Sequence, residues 1–300
     1  MSSTPSPGVY YDVPFEDYKE WDAMNHSTLK HGLRSMAHLK ACLDDPPEPS
    51  KAMRLGSLVH AAALEPLEML NRYIALPPFE NDIRRPDGTE YANVKATKAY
   101  KDSVADFMDE HPDKTVITQE EFDVLKGVCA ALQANKRCRD WLFAGGQTEL
   151  SMVWEDPDTG VLCKGRIDKL LPGLIVDIKT TSDAMRFESQ IAKLAYHQQM
   201  AFYRDGLMLA SGEECQAAIV AIESAAPFGI RAAIVADDAI NWGRESYRRL
   251  LREYAACRAA NEWPNYESPD YWHLPSWATA DAINDEIVEL VIGGQAVGVK

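Results

Sequence analysis

Asp168, Asp177 and Lys179 are ionisable groups in an otherwise apolar stretch, Gly165-Arg166-Ile167-Asp168-Lys169-Leu170-Leu171-Pro172-Gly173-Leu174-Ile175-Val176-Asp177-Ile178-Lys179-Thr180-Thr181. Two short runs rich in branched residues flank Pro172-Gly173, the pattern of a β-hairpin with a tight turn. A turn centred on Pro172-Gly173 puts Asp168 opposite Asp177, and Lys179, two residues on, shares the face of Asp177. Directly opposed residues have Cβ atoms about 5 Å apart. Two carboxylates that close repel unless positive charge lies between them, and a divalent cation supplies it most simply. The opposite face, Ile167, Leu171, Leu174, Val176 and Ile178, is expected on the core.

The preceding segment adds a third acid. Glu149 to Trp154 alternates, Asp156-Pro157-Asp158-Thr159-Gly160 turns, and Val161 to Leu171 returns. A turn centred on Asp158-Thr159 lands Glu149 opposite Asp168, so that three adjacent strands converge their acids on one spot. Hard carboxylate oxygens suit magnesium, which keeps several waters and meets phosphate oxygens. Such an ion polarises a phosphodiester and helps to generate hydroxide. Lys179 would orient or deprotonate the attacking water, or offset charge building on the phosphate. The competing reading is two solvated acids and a lysine on an exposed strand face. Arg166, on the same face, touches phosphate or screens the acids.

Other elements must position this hairpin. A helix from about Met53 to Leu64 surrounds His60 with apolar and small residues, which marks a buried helix carrying one polar side chain inward. A helix from about Phe187 to Leu209 places Tyr196, Gln199 and Tyr203 on one face. Further helices are predicted at Thr28 to Leu43, after the start signal Asn25-His26-Ser27, and at about 95–110, 119–135 and Asp238 to Asn261. The third of these opens on a capping-box pattern, Thr118-Gln119-Glu120-Glu121. A further strand pair is expected at 215–223 and 228–236. Residues 77–95 read as a polar loop. The tail carries Trp263, Tyr266, Tyr271, Trp272 and Trp277, read as packing or an oligomer contact, before an apolar segment, Ile287 to Val299. The predicted partition is an arm and helix at 1–52, a core at 53–262 and a tail at 263–300, within one structural domain.

Three hundred residues suffice for a sizeable core. No run reaches the roughly 18 apolar residues of a membrane helix, and the N-terminus lacks signal-peptide regions. Six scattered cysteines without a C-x-x-C pair read as reduced thiols of a cytoplasmic protein, with no metal cluster. A net charge of -15 argues against a nucleic-acid partner. From Lys164 to Arg204, however, seven basic residues face four acidic ones, which permits a polyanion in one groove.

Gly165-Arg166-Ile167-Asp168, Asp177-Ile178-Lys179-Thr180-Thr181 and Gln199-x-x-x-Tyr203 together resemble the PD-(D/E)XK nuclease superfamily in its RecB-like branch. The resemblance implies an α/β (α+β) restriction-endonuclease-like core with a mixed central sheet flanked by helices. It implies Asp168 as the first acid, Asp177 and Lys179 as the D-x-K pair, and the Ile178 carbonyl in the metal shell. It also implies a metal role for His60 within Gly56-Ser57-Leu58-Val59-His60, and Glu149 as an additional acid. Gln199 and Tyr203 would contact DNA phosphate or bridge to the lysine. With Asn25-His26-Ser27 and Leu274-Pro275-Ser276-Trp277, the layout over about residues 10–280 resembles the RecE-type (exonuclease VIII) nucleases of phages and prophages. That implies magnesium-dependent (Mn2+ substituting) 5′-to-3′ degradation of linear double-stranded DNA in the bacterial cytoplasm. It further implies a homo-oligomeric ring, a tetramer, handing 3′ single strands to a RecT-like annealing protein. One departure is that Asp168 is not preceded by proline. Cas4- or AddB-like nucleases with an iron–sulfur cluster need three clustered cysteines after the core, where only Cys215 and Cys257 follow. A silent DNA-end-binding module of the same fold is the alternative from another class.

Overall fold

The computed structural model describes residues 4–274 and the backbone of 289–292 and 295–298. Trp277 and residues 287, 288, 293, 294 and 299 of the predicted Ile287–Val299 segment lie outside the described residues. Two compact units divide the chain after Pro264. The first contains every element from the N-terminal arm to the last long helix.

The arm contributes strand β1 (Gly8–Tyr10) and helix α1 (Phe15–Glu20). The helix predicted from Thr28 to Leu43 is in fact three pieces: α2 (His26–Leu29), a 3-10 turn (Lys30–Leu33) and α3 (Met36–Asp44). Ser35 breaks the run because it is extended and its hydroxyl caps α3, accepting from the His38 amide. Asn25 caps α2, accepting from the Thr28 amide, while His26, expected to share in the cap, is buried.

Helix α4 (Lys51–Leu64) starts on the Ser50 hydroxyl and carries His60; α5 (Pro66–Arg72) begins on a proline. Strand β2 (Tyr73–Ala75), helix α6 (Lys98–Glu110), strand β3 (Thr115–Ile117), α7 (Gln119–Ala134) and α8 (Lys136–Leu142) follow. The capping box at Thr118 and Glu121 forms as predicted. β2 and β3 pair in parallel, which three-residue strands had not signalled. Next come β4 (Gln147–Glu155), β5 (Leu162–Leu171), β6 (Leu174–Thr181), α9 (Phe187–Lys193), α10 (Tyr196–Ser211), β7 (Gln216–Glu223), β8 (Ile230–Ile234) and α11 (Asp237–Ala260). The helix expected from Phe187 to Leu209 is broken at Ala195, whose φ of 58° is left-handed. In the second unit, β9 (Glu289–Ile292) pairs antiparallel with β10 (Gln295–Gly298).

The main sheet has the order β1-β4-β5-β6-β7-β8, antiparallel except for the β6–β7 pair. Its β5–β6 turn is Pro172-Gly173, with Gly173 at φ 73° as a type II turn requires. One face carries Met152, Trp154, Ile175 and Ile219 against Phe202 of α10 and Tyr247 and Leu250 of α11. The other carries Val176, Ile178 and Val220 against α4, α7 and α8. The sheet is thus covered on both sides. The predicted apolar face splits accordingly: Leu171, Leu174, Val176 and Ile178 join the second cluster, but Ile167 packs in the first.

Two contacts hold the walls of the site. Lys164 of β5 is buried and donates to the carbonyls of Tyr18, Lys19 and Trp21 at 3.0, 2.9 and 2.6 Å, which anchors the end of α1. α11 crosses α10 at Gly243, where an added Cβ would lie 2.4 Å from the His197 carbonyl oxygen. Among the described residues no helix is long and apolar enough to cross a membrane. Gly243→Ala should force α11 off α10 and cost about 1–3 kcal/mol, read as a lower urea midpoint at unchanged m-value. An unchanged midpoint would show that this crossing does not depend on the glycine.

Candidate metal centre

Both predicted registers hold, and both ladders open where the acids lie. β5 and β6 pair Lys169 with Val176, Leu170 with Ile175 and Leu171 with Leu174, and the ladder stops before Asp168 and Asp177. β4 and β5 pair Thr148 with Lys169 and Leu150 with Ile167, skipping Glu149 and Asp168 between them. Glu149 takes a left-handed φ of 51°, a conformation costing about 1–2 kcal/mol in a non-glycine residue. The Asp168 carboxylate replaces the missing ladder bond by accepting from the Ile178 amide at 2.7 Å. Glu149 and Asp168 therefore meet His60 at a gap in the sheet rather than on a regular strand face, while Asp177 is buried beside Asp168 and outside that ligand cluster.

His60 reaches this gap from α4. A carbonyl only accepts, so its Nε2 donates to the Ile178 oxygen at 2.9 Å, and its Nδ1 faces Asp168 Oδ2 at 3.4 Å. Burial works against a charged imidazole, but the Asp168 carboxylate outweighs it and lifts the His60 pKa to about 9. Asp168 feels burial in the opposite sense, yet His60, Lys179 and the Ile178 amide hold it below the usual carboxylate range. Ligand atoms of His60, Glu149 and Asp168 all lie within 4.8 Å of one another.

Asp177 is the least satisfied group. Its side chain is 1% exposed, and neither carboxylate oxygen has a hydrogen bond of normal geometry. Among the described residues its ion-pair partner is the Lys179 ammonium. Burial pushes its pKa up from 3.8 to about 6, against the pull of Lys179. Burial tends to strip the proton from Lys179 too, but Asp177 and Asp168 more than restore it. In this state Lys179 is an ammonium donor, not a base. Its Nζ also lies 5.1 Å from the centre of the Tyr196 ring, which stacks on Phe187.

The remaining predicted residues divide. Gln199 and Tyr203 line the cavity over the acids, and the Gln199 amide donates to the Tyr203 hydroxyl at 3.1 Å. Arg166 is held by Glu149 Oε2 at 2.5 Å, the Val13 carbonyl at 2.8 Å and the Ser151 hydroxyl at 3.2 Å. These contacts place Arg166 to screen the acids, one of its two predicted roles. The sequence reading missed Gln198, which is fully buried and bridges His26 Nε2 at 2.9 Å and Ser246 at 2.8 Å. Adjacent helical residues point about 100° apart, so a glutamine pair on α10 had to send one member inward. It also missed Tyr196 as a partner of Lys179. In the tail, Trp263 packs against the first core cluster beside Tyr254.

Clustered ligand atoms of Asp168, Glu149 and His60, with the buried Asp177 carboxylate beside Asp168, fit a divalent cation that accepts oxygen and nitrogen donors. The profile of a family described as a PDDEXK-like domain of unknown function (DUF3799) matches residues 25–275. No curated protein matches the sequence. Among solved structures, a Eubacterium rectale protein named as a candidate exonuclease shares 15% identity, covering 95% of this chain and 97% of its own, with a TM-score of 0.57. At that identity the similarity shows the fold. A phage-related exonuclease from Haemophilus somnus 129PT shares 16% identity over 55% of this chain and 85% of its own, with a TM-score of 0.30.

Asp177 sets a pH window. Held up at about 6, it keeps its proton in the folded state while the unfolded chain loses it from 3.8 upward. Without a cation this group therefore lowers stability as pH rises through that interval, by about 3 kcal/mol once both are ionised. Millimolar Mn2+ or Mg2+ should raise the unfolding temperature by several degrees at pH 7.5 and by much less at pH 5.5, where Asp177 takes a proton instead. Equal shifts at both values, or the same shift in Asp168→Ala/Asp177→Ala, would remove these acids from the ion site.

Proposed function

This chain belongs to the DUF3799 family of PDDEXK-like domains, and on that premise we propose that it is a metal-dependent exodeoxyribonuclease. The observation that carries the reading is the cluster of Asp168, Glu149 and His60 ligand atoms beside a buried Asp177 carboxylate whose one close polar contact among the described residues is the Lys179 ammonium. Burying so many ionisable groups together costs folding free energy, and such clusters concentrate at functional sites. Asp168, Asp177, Glu149, His60 and the Ile178 carbonyl are the groups that would hold the ion. A bound divalent cation would polarise the phosphodiester and lower the pKa of a water.

The chain's own residues supply the rest. Lys179 offers an ammonium donor to the phosphate that gains charge, with Asp177 and the Tyr196 ring fixing its position. Gln199 and Tyr203 present an amide and a hydroxyl to the same cavity. Arg166 holds Glu149 in place and limits repulsion among the acids. His60 must give up its contact with Asp168 or its proton for Nδ1 to reach a cation, since Nε2 is directed at the Ile178 carbonyl.

Magnesium as the ion, linear duplex DNA as substrate and 5′-to-3′ direction come from the resemblance to RecE-type nucleases. So do a tetrameric ring and a RecT-like annealing partner that takes the 3′ single strand. The sequence motifs support that branch, and the family profile supports the superfamily.

Linear duplex DNA should be degraded in magnesium and not in chelator, with Asp177→Ala abolishing the activity. Lys179→Ala should retain metal and DNA binding and lose about 10²–10⁴-fold in rate. A native chain that digests no DNA in Mg2+ or Mn2+ would leave only a DNA-end-binding module. Blocking one end at a time reads direction: protection by a blocked 5′ end is expected, and protection by a blocked 3′ end reverses the proposed polarity.

A further inference from the structure

Three cavities meet at the acids, and their linings differ sharply in charge. The central one holds Asp168, His60, Gln199 and Tyr203. It shares His60 and Gln199 with a neighbour that runs between α4 and α10, past Lys179 to Lys30. It shares Glu149, Arg166 and Phe15 with another on the opposite side, beneath α5.

The cavity between α4 and α10 is lined without a single acid. Its charged groups are Lys30, Lys179 and His60, while burial keeps His26 neutral. Ser27, Thr180, Ser182 and Gln190 add hydroxyl and amide donors. Lys30, on the 3-10 turn after α2, is half-buried, and among the described residues its ammonium has no carboxylate partner. Burial and then the nearby Lys179 lower its pKa, the mark of a cation cluster short of a counter-anion. In a chain of net charge -15, such a lining is selective for anions.

The cavity beneath α5 is the reverse. Asp12, Glu16, Glu65, Glu68 and Asp113 line it with Arg72 and an Arg166 already held by Glu149. Within a Debye length of about 8 Å these acids act together against a phosphate.

We infer that the strand being cut lies along the acid-free cavity, with Lys30 on one of its phosphates, and that the acidic cavity admits a chain end but not a continuing backbone. The inference rests on the nuclease reading and gives it a physical reason for acting at ends. A strand that had to pass through both cavities would set successive phosphates against Glu65, Glu68 and Asp113. The released terminal nucleotide, by contrast, meets the acids only as it leaves.

Binding and cleavage are measured separately. Binding uses a fluorescent single-stranded oligonucleotide in Ca2+ across a salt series; cleavage uses closed circular single-stranded DNA in Mg2+ or Mn2+. Lys30→Ala should weaken binding about tenfold and reduce the slope of log affinity against log salt by about one, as for one lost phosphate contact. Lys30→Gln, which keeps the packed stem, should do the same. Glu68→Lys/Asp113→Lys, at two exposed positions, should begin to nick the circle that the native chain leaves intact. Native affinity and slope in both Lys30 variants would overturn the strand path. A circle still intact with the charges reversed would overturn the barrier. Lys30-dependent binding by a native chain that cuts no DNA would support the path and sink the nuclease reading.

Discussion

The structure depends on one electrostatic arrangement: Asp177, Lys179, Asp168 and His60 are packed together inside a sheet covered on both faces. Taking an ion out of water costs several kcal/mol even after relaxation. The two cations offset most of that cost for Asp168, which also takes the Ile178 amide. They do so incompletely for Asp177, whose pKa stays raised. The cluster is therefore balanced in charge but not in hydrogen bonds. An imbalance of that kind favours an added cation at the acids and an added anion at Lys179.

The surrounding fold serves to keep this cluster assembled. The ladder opens at Glu149, Asp168 and Asp177, which lets Glu149 and Asp168 meet His60 with Asp177 buried beside them, without breaking the register on either side. β6 continues unbroken beside β7 through the same residues, so the gap has a rigid wall. From one face α4 delivers His60, and from the other α10 delivers Tyr196, Gln199 and Tyr203. α10 is itself pinned by α11 at Gly243 and by the Asp205 carboxylate, which binds Arg244, Tyr247 and Arg248. Lys164 ties the N-terminal arm to β5, two residues from the Arg166 that holds Glu149.

Much of this was legible in the sequence because it rests on local rules. Pro172-Gly173 and the Asp156–Gly160 turn fixed both registers, and alternation then placed the acids. What escaped is what depends on tertiary contacts. Ile167 changes cores because the pleat is interrupted at Glu149 and Asp168, and nothing local announces a left-handed glutamate in a strand. Ala195 breaks the α9–α10 run in a conformation that alanine does not favour on its own. Ser35 interrupts the Thr28–Leu43 helix because its hydroxyl caps α3, a role that a serine inside a helical pattern does not announce. His26 reads as a capping neighbour in sequence and is a core residue bonded to Gln198, because only folding brings positions 172 residues apart into contact.

The acidity of the chain is then less of a paradox than it first looks. At 0.15 M salt, charges more than about 8 Å apart are largely screened, so net charge governs distant encounters and local lining governs the site. An acid-free cavity beside the Lys179 ammonium can attract a phosphate although the protein as a whole repels DNA. The same repulsion weakens non-specific binding along duplex flanks, which a basic protein would hold strongly. For the exonuclease proposed above, weak holding elsewhere would be an advantage. On that reading affinity is concentrated along the cavity of Lys30 and Lys179 beside the acids.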